Sequence, residues 1–228
     1  MATPYALHRV ARTGSTQDDA RELATKEPVL VIADEQTEGR GRSGRRWETA
    51  PRALATSLAW RPNWPRSAWA RLSLVAGLAA RETLREVFDV EAGIKWPNDL
   101  VTDDGKVAGL LVEVSDDLPV AGLGVNLWWP DAPDGHAGLM VTDPGSGIVQ
   151  HLAEAWAQRV LARTELPAHE WGRAEYEQHC LTLGQVVRWQ PRGTGKAVGV
   201  AEDGALIVET EEGVQRLSVG EVWELRSY

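Results

Sequence analysis

Cysteine is nearly absent. Cys180 is the only one among 228 residues, which excludes an internal disulfide and any multi-cysteine metal site. It follows His179, but adjacent side chains on a helix diverge, so an inert thiol is expected rather than a Cys/His pair. Histidine is also sparse, and His8, His136, His151, His169 and His179 show no HExxH-like ligand spacing. Long apolar runs are missing: "VLVIA" and "LSLVAGLAA" fall far short of the ~20 residues of a membrane span. The N-terminus carries no apolar signal segment, so no membrane partner and a cytoplasmic location are expected. Lysine is scarce too, with Lys26, Lys95, Lys106 and Lys196 the only four among 24 basic residues. A lysine kept against that arginine background points to a need for a compact ammonium. The net charge of −9 argues against broad nucleic-acid or anionic-membrane binding. Any anion must be bound locally.

What is present reads as an ordered α+β chain, long enough for one sizeable core or a main domain plus a small one. "GSTQDDARELATKE" reads as a helix start, with Ser15 or Thr16 as cap and Asp18 and Asp19 in a box-like first turn. "PVLVIADEQ" reads as a buried strand, "ALATSLAW" as extended, and "SAWARLSLVAGLAARETLREVF" as the strongest helix. "AGIKWPNDLVTDDGKVAGLLVEV" reads as strand, loop, strand, turn, strand, with a tight hairpin at Asp104-Gly105. "VAGLGVNLWW" supplies another strand, followed by a loop from Pro130 to Gly147 and two helices from about 148 to 183. From Gly184 the pattern becomes five short strands, "QVVRWQ", "GKAVGVA", "ALIVET", "VQRLSV" and "EVWELR", as in a small β-barrel. The expected division is therefore residues 1–183 and 184–228.

The least ordinary segment is "EGRGRSGRRW", with four arginines and three glycines in ten residues. Gly39, Gly41 and Gly44 satisfy GxGxxG, but Arg45-Arg46-Trp47 leads to Pro51 and a strand rather than to the helix a dinucleotide fold requires. A P-loop fails as well, since no Gly-Lys-Ser/Thr follows. From Gln36 to Arg52 five arginines and two glutamates leave a local charge of +3. Glycines let backbone N–H groups close on a phosphate, and arginines offer planar forks to its oxygens. Taken alone, the segment is equally compatible with a solvated basic loop or an Arg-Gly tract that binds RNA.

Its company narrows the choice. "STQ" opening a helix, "GRGRSGRRW" after a strand, "KWPNDL", "KVAGLLVE" and "GLGVNL" occur in that order, and together they closely resemble the catalytic domain of biotin protein ligases. The resemblance runs from about Ser15 to the C-terminus, and "KWPND" followed by "GKVAG" downstream of "GRGR" is its specific part. It implies a mixed β-sheet catalytic domain packed with helices, of the class II synthetase-like biotin/lipoate ligase type, and a small SH3-like β-barrel behind it. It also implies a two-step reaction. ATP and biotin give biotinyl-5′-adenylate and pyrophosphate; a lysine of a biotin carboxyl carrier protein then takes the biotinyl group and leaves AMP.

Carried over position by position, the resemblance implies that Ser15, Thr16 and Gln36 contact the ureido ring of biotin. Gly39 and Arg40 begin the loop that covers biotin and adenylate, and Arg42 meets the phosphate. Lys106 contacts the biotin carboxylate and the adenylate linkage, while Gly109 and Leu111 bring backbone close to the ligand. Lys95 neutralises the phosphate side, Trp47, Asn98 and Asn126 belong to the adenylate side, and Asp99 orients or deprotonates the incoming amine. Mg²⁺ should accompany ATP, with no carboxylate cluster to mark its ligands.

Larger members carry an N-terminal helix-turn-helix domain; only 14 residues precede Ser15, so DNA binding by that route is not expected. A homodimer is common in the resembling family and is admitted here. After "GVNL", Gly138 stands where many members show Ser or Thr, and Trp128 or Trp129 is a candidate to stack on adenine. Two rival readings stay in view: a lipoate or octanoate ligase or transferase of related fold, and an RNA- or partner-binding module.

Overall fold

In the computed structural model, residues 4–189 and 193–218 and the backbone of 226–227 are described. The main sheet has seven strands: β1 (Ala6–Thr13), β2 (Val29–Gln36), β3 (Arg52–Ala59), β4 (Gly93–Lys95), β5 (Asp99–Thr102), β6 (Gly105–Ser115) and β7 (Leu118–Trp128). Their spatial order is β1-β2-β3-β7-β6-β5-β4. Only β1 and β2 run parallel; the other neighbours are antiparallel.

The apolar run of β2 is continuous because both of its sides are covered. Leu30 and Ile32 enter the large cluster under α2 (Leu72–Phe88) and α3 (Gly147–Glu165), while Val29 and Val31 join Ala20 of α1 (Thr16–Leu23) on the opposite face. Period-2 alternation thus sends one strand's side chains into two separate cores. The Asp104-Gly105 hairpin forms between β5 and β6 as expected. Between β6 and β7 the turn is made by Asp116 and Asp117, both left-handed at φ 49° and 57°, the pair of positive angles a two-residue hairpin favours.

Three expectations need correction. β1 was not anticipated: its half-exposed sequence, with Arg9 reaching Asp34 at 2.7 Å, lacks a strong apolar pattern. The long helix begins with a 3-10 turn over Arg66–Arg71 and becomes α-helical only at Leu72. Ser15 occupies the N-cap position of α1 but makes no side-chain capping bond. Its backbone carbonyl accepts the Asp18 and Asp19 N–H groups instead.

The tail forms β8 (Val186–Trp189), β9 (Gly193–Val200), β10 (Leu206–Thr210), β11 (Gly213–Leu217) and β12 (Arg226–Ser227), in the order β11-β10-β9-β8-β12. Among the described residues this is an open antiparallel sheet, without a pairing that closes the expected barrel. Most of the predicted strand "EVWELR" lies outside the described residues.

The tail shares its core with the main sheet. Val187, Ala197, Val200, Leu206 and Val208 belong to the same buried cluster as Leu74, Leu78 and Trp96. Helix α4 (Arg173–His179) stands between, with Glu177 accepting the Val200 N–H at 2.8 Å. The fully buried Trp96 donates its indole N–H to the Gly204 carbonyl at 3.1 Å, and its backbone N–H goes to Thr182 Oγ1 at 2.9 Å. The loop between β4 and β5 is therefore fastened from behind by the tail. Trp96→Phe, which keeps an aromatic ring but deletes the donor, is expected to cost about 2–3 kcal/mol. A urea titration with an unchanged midpoint would show that this bond fastens nothing.

Candidate active site

A cleft of about 330 Å³ opens on the sheet face that carries α1, within the size range of small-molecule sites. Its floor is made by glycines on adjacent strands. A Cβ on Gly124 would lie 2.7 Å from Trp47 Cε2, and one on Gly109 2.7 Å from Trp47 Cζ3. Only hydrogen at both positions lets the indole lie flat across β6 and β7.

One end is polar and nearly neutral. Thr16 Oγ1 donates to Gln36 Oε1 at 3.0 Å and pairs with Ser57 Oγ at 2.8 Å, and the Thr16 N–H also reaches Gln36 Oε1 at 2.9 Å. Ser15, 4% exposed, sits beside them. The hydroxyl groups expected to cap α1 are thus turned into the cleft.

The other end is cationic. Arg42, Arg45, Arg46 and Lys95 line it against two carboxylates, Glu48 and Asp99, while Arg40, also in the lining, is paired with Asp18 of α1. Burial holds the Arg42 guanidinium below the usual arginine value and nearby Arg45 adds to that, while the charges of Asp99 and Tyr176 oppose it. A cation desolvated in this way gains when an anion enters. The basic loop is folded rather than loose: Gly41 N–H bonds Arg45 O at 2.7 Å, Trp47 N–H bonds Gly39 O at 2.8 Å, and Ser43 and Gly44 turn through left-handed angles.

Lys106 stands between the two ends. Its Nζ lies 2.7 Å from Asp99 Oδ1 and 5.2 Å from the centre of the Trp47 ring. Its backbone is clamped from the Pro130–Gly147 loop, donating to Gly135 O and accepting from the Ala137 N–H. Asn98 fixes the neighbouring turn, donating from Nδ2 to Leu110 O at 2.8 Å.

Most of the residues expected at the site line this one cleft: Ser15, Thr16, Gln36, Arg40, Arg42, Trp47, Lys95, Asn98, Asp99, Lys106, Gly109 and Leu111. Gly39 and Asn126 do not. Gly39 is buried under the loop. Asn126 is fully buried one layer down, donating to Lys106 O at 3.3 Å. It supports the strand that carries the lysine instead of facing the cleft.

A model of the biotin/lipoate A/B protein ligase family matches residues 9–126, and a model of the biotin protein ligase C-terminal domain matches residues 183–223. The biotin–[acetyl-CoA-carboxylase] ligase of Mycobacterium tuberculosis is 35% identical over 96% of this chain and 89% of its own length. The chain belongs to the biotin protein ligase family. The bifunctional ligase/repressor BirA of Bacillus subtilis is 30% identical over 89% of the chain and 69% of its own length. Among solved structures, the biotin protein ligase of Aquifex aeolicus in complex with biotin and ATP superposes with a TM-score of 0.83 at 29% identity. That superposition covers 98% of this chain and 99% of the Aquifex chain.

Within this biotin protein ligase fold, the unusual Gly138 has a local reason. A Cβ there would come within 2.6 Å of the Trp129 backbone nitrogen, so a serine or threonine would push the loop off the strand. Trp129 itself packs on His136, ring centres 5.8 Å apart, and of these two only His136 lines the cleft. Sequence reasoning missed Ser57 and Gln17. Ser57 had a weak signal, since Thr56 and Ser57 are the two hydroxyl residues in an otherwise apolar stretch, and alternation puts only one of them on the cleft face. Gln17 stands in the "STQ" motif but was given no role: it pins α1 by donating to Leu111 O and Val120 O at 3.0 and 3.3 Å.

Thr16→Val keeps the shape of the polar end but deletes the hydroxyl shared by Gln36 and Ser57. A loss of about 1–2 kcal/mol in unfolding free energy is expected, with Thr16→Ser close to wild type. Equal stability of Val and wild type would mean that the hydroxyl contacts are idle.

Proposed function

We propose that this chain is a biotin–[biotin carboxyl carrier protein] ligase. It activates biotin as biotinyl-5′-AMP and passes it to a carrier lysine of acetyl-CoA carboxylase. The observation that carries the reading is a single cleft whose neutral hydrogen-bonding end is joined to a cationic end through Lys106. A ureido ring offers both donors and acceptors, and Ser15, Thr16, Gln36 and Ser57 supply matching polar groups. An aliphatic lipoyl or octanoyl chain would desolvate this end without meeting the bonding capacity these groups keep beyond their mutual bonds, so the lipoate alternative is not favoured.

The chemistry follows from the charges. In the first step a biotin carboxylate oxygen attacks the α-phosphorus of ATP, a P–O bond forms, and pyrophosphate leaves with the electron pair of the broken bond. Two anions must meet while charge builds on the phosphoryl oxygens. Lys106, Arg42 and Lys95 face that charge as preorganised cations, and alignment of the two substrates along one cleft lowers the entropic part of the barrier. In the second step the carrier amine attacks the acyl carbon, the C–O bond to phosphate breaks, and AMP leaves. Asp99 is assigned to orient or deprotonate that amine, a role supported by its position 2.7 Å from Lys106 in the cleft.

Mg²⁺ enters with ATP. Among the described residues no group of three or more His, Cys, Asp or Glu could hold a metal. A phosphate-bound Mg²⁺ needs only one or two carboxylates beside phosphate and water, and Glu48 and Asp99 are those in the cleft. We assign residues 1–183 to the catalytic unit and 184–228 to the C-terminal unit. The acidic net charge of −9 supports an enzyme with neither nucleic acid nor an anionic membrane as partner, and a cytoplasmic location is part of the same reading. A homodimer is compatible with β1 and β4 at the two sheet edges.

The test is pyrophosphate release from ATP with biotin, lipoate or octanoate supplied separately and no carrier present. Release with biotin alone is expected; release with lipoate or octanoate alone would move the chain to the lipoyl branch. Lys106→Ala should lower adenylation by on the order of 10²–10³-fold while circular dichroism is unchanged. Full activity in that variant would remove the lysine from the mechanism.

A further inference from the structure

The first turn of α1 carries a carboxylate that the cleft does not use. Asp18 and Glu113 are absent from the cleft lining, yet both reach an arginine that belongs to it. Arg40 meets Asp18 through two parallel bonds, Nη1 to Oδ2 at 2.7 Å and Nη2 to Oδ1 at 2.8 Å. Its Nη2 also lies 3.2 Å from Glu113 Oε2 on β6. Arg21 completes the group, 2.9 Å from Asp18 Oδ1 and 3.2 Å from Glu113 Oε2. The result is a square of alternating charge joining the basic loop, α1 and β6. The hydrogen bond from Arg40 holds the Asp18 carboxyl below the usual carboxylate range, and the same bond raises the Arg40 guanidinium.

Both carboxylates stand on rigid supports. Gln17 ties the start of α1 to the main-chain carbonyls of Leu111 and Val120, and β6 is paired with β7 from Ala108 to Ser115, a stretch that includes Glu113. Arg40, by contrast, lies on a loop between two strands, where its backbone ladder runs only to Arg46 of the same loop. An arginine so placed repels Arg42, Arg45 and Arg46, and the paired carboxylates offset that repulsion from outside the cleft.

We propose that Asp18 and Glu113 are positioning residues: they clasp Arg40 so that the basic loop stays shut over bound biotinyl-adenylate until the carrier arrives. The proposal rests on the ligase reading above. It differs from a capping role for Asp18 because the side chain is spent on Arg40 and Arg21. Bidentate, networked pairs at partial exposure contribute modestly but measurably, and they weaken as salt screens them.

The experiment uses the full chain as wild type, Asp18→Asn, Glu113→Gln, the double variant and Asp18→Glu. Adenylate is formed with biotin and ATP, the enzyme is separated from substrates, and biotinyl-AMP release is timed at low and high salt. Wild type should release slowly at low salt and faster at high salt. Each single variant should release about two- to fivefold faster at low salt. The double variant should do so more strongly and with a flattened salt response, while Asp18→Glu restores retention. The rate of the first pyrophosphate burst should stay within about twofold of wild type, since neither side chain lines the cleft. Biotinylation of an unrelated lysine-rich protein should rise with release. Unchanged release in the double variant would overturn the clasp while leaving the ligase reading intact. A parallel fall in burst rate and melting temperature would overturn it too, as the signature of a merely structural role. Absence of any biotinyl-AMP from wild type would instead overturn the ligase reading and the clasp with it.

Discussion

Six cations that face one cleft repel one another, and that repulsion grows as water is excluded. The arrangement around the site is an answer to it. Lys106 is held by Asp99, Arg40 by Asp18 and Glu113, and Arg42 is half-buried, where desolvation lowers its pKa and the charge of Asp99 opposes that shift. The carboxylates keep the cations in place without filling the polar end of the cleft. Anionic substrate oxygens can then take over part of that compensation, so binding energy is concentrated where the phosphoryl charge develops.

Charge is effective only if it is held still, and the framework supplies that in layers. Lys106 is gripped through its backbone by the Pro130–Gly147 loop and through its carbonyl by Asn126. The turn bearing Lys95, Asn98 and Asp99 is backed by Trp96, whose indole is bonded to the tail at Gly204. The glycine floor at Gly109 and Gly124 brings Trp47 against the sheet, where it lies beside Lys106. Loop, sheet and tail therefore act on the same few side chains, which is why the tail shares a core with the catalytic sheet.

Much of this was legible beforehand because motifs record chemistry at short range. "STQ", "GRGRSGRRW", "KWPNDL" and "GKVAG" each place their polar groups within a few residues, and most of those groups meet in one cleft. The continuous apolar run of β2 and the Asp104-Gly105 hairpin were likewise local signals. What failed was also local in cause. β1 lacks a strong apolar pattern, and Ser15 looked like a cap because its residue type favours caps; only the family motif, not the local helix signal, pointed its neighbourhood toward a ligand.

The sequence by itself determined most of the element types, the order of the chemical motifs, the local positive charge of the loop and the family to which they point. Tertiary structure alone decided which carboxylate meets which cation. Asp18, Arg40 and Glu113 are far apart in the chain and are brought together by the strand order β2-β3-β7-β6 and by the docking of α1 on it. It also decided that Asn126 faces the Lys106 carbonyl and not the cleft, and that the tail reaches Trp96. Periodicity fixes which face of a strand a residue occupies; only sheet order and register fix what stands opposite.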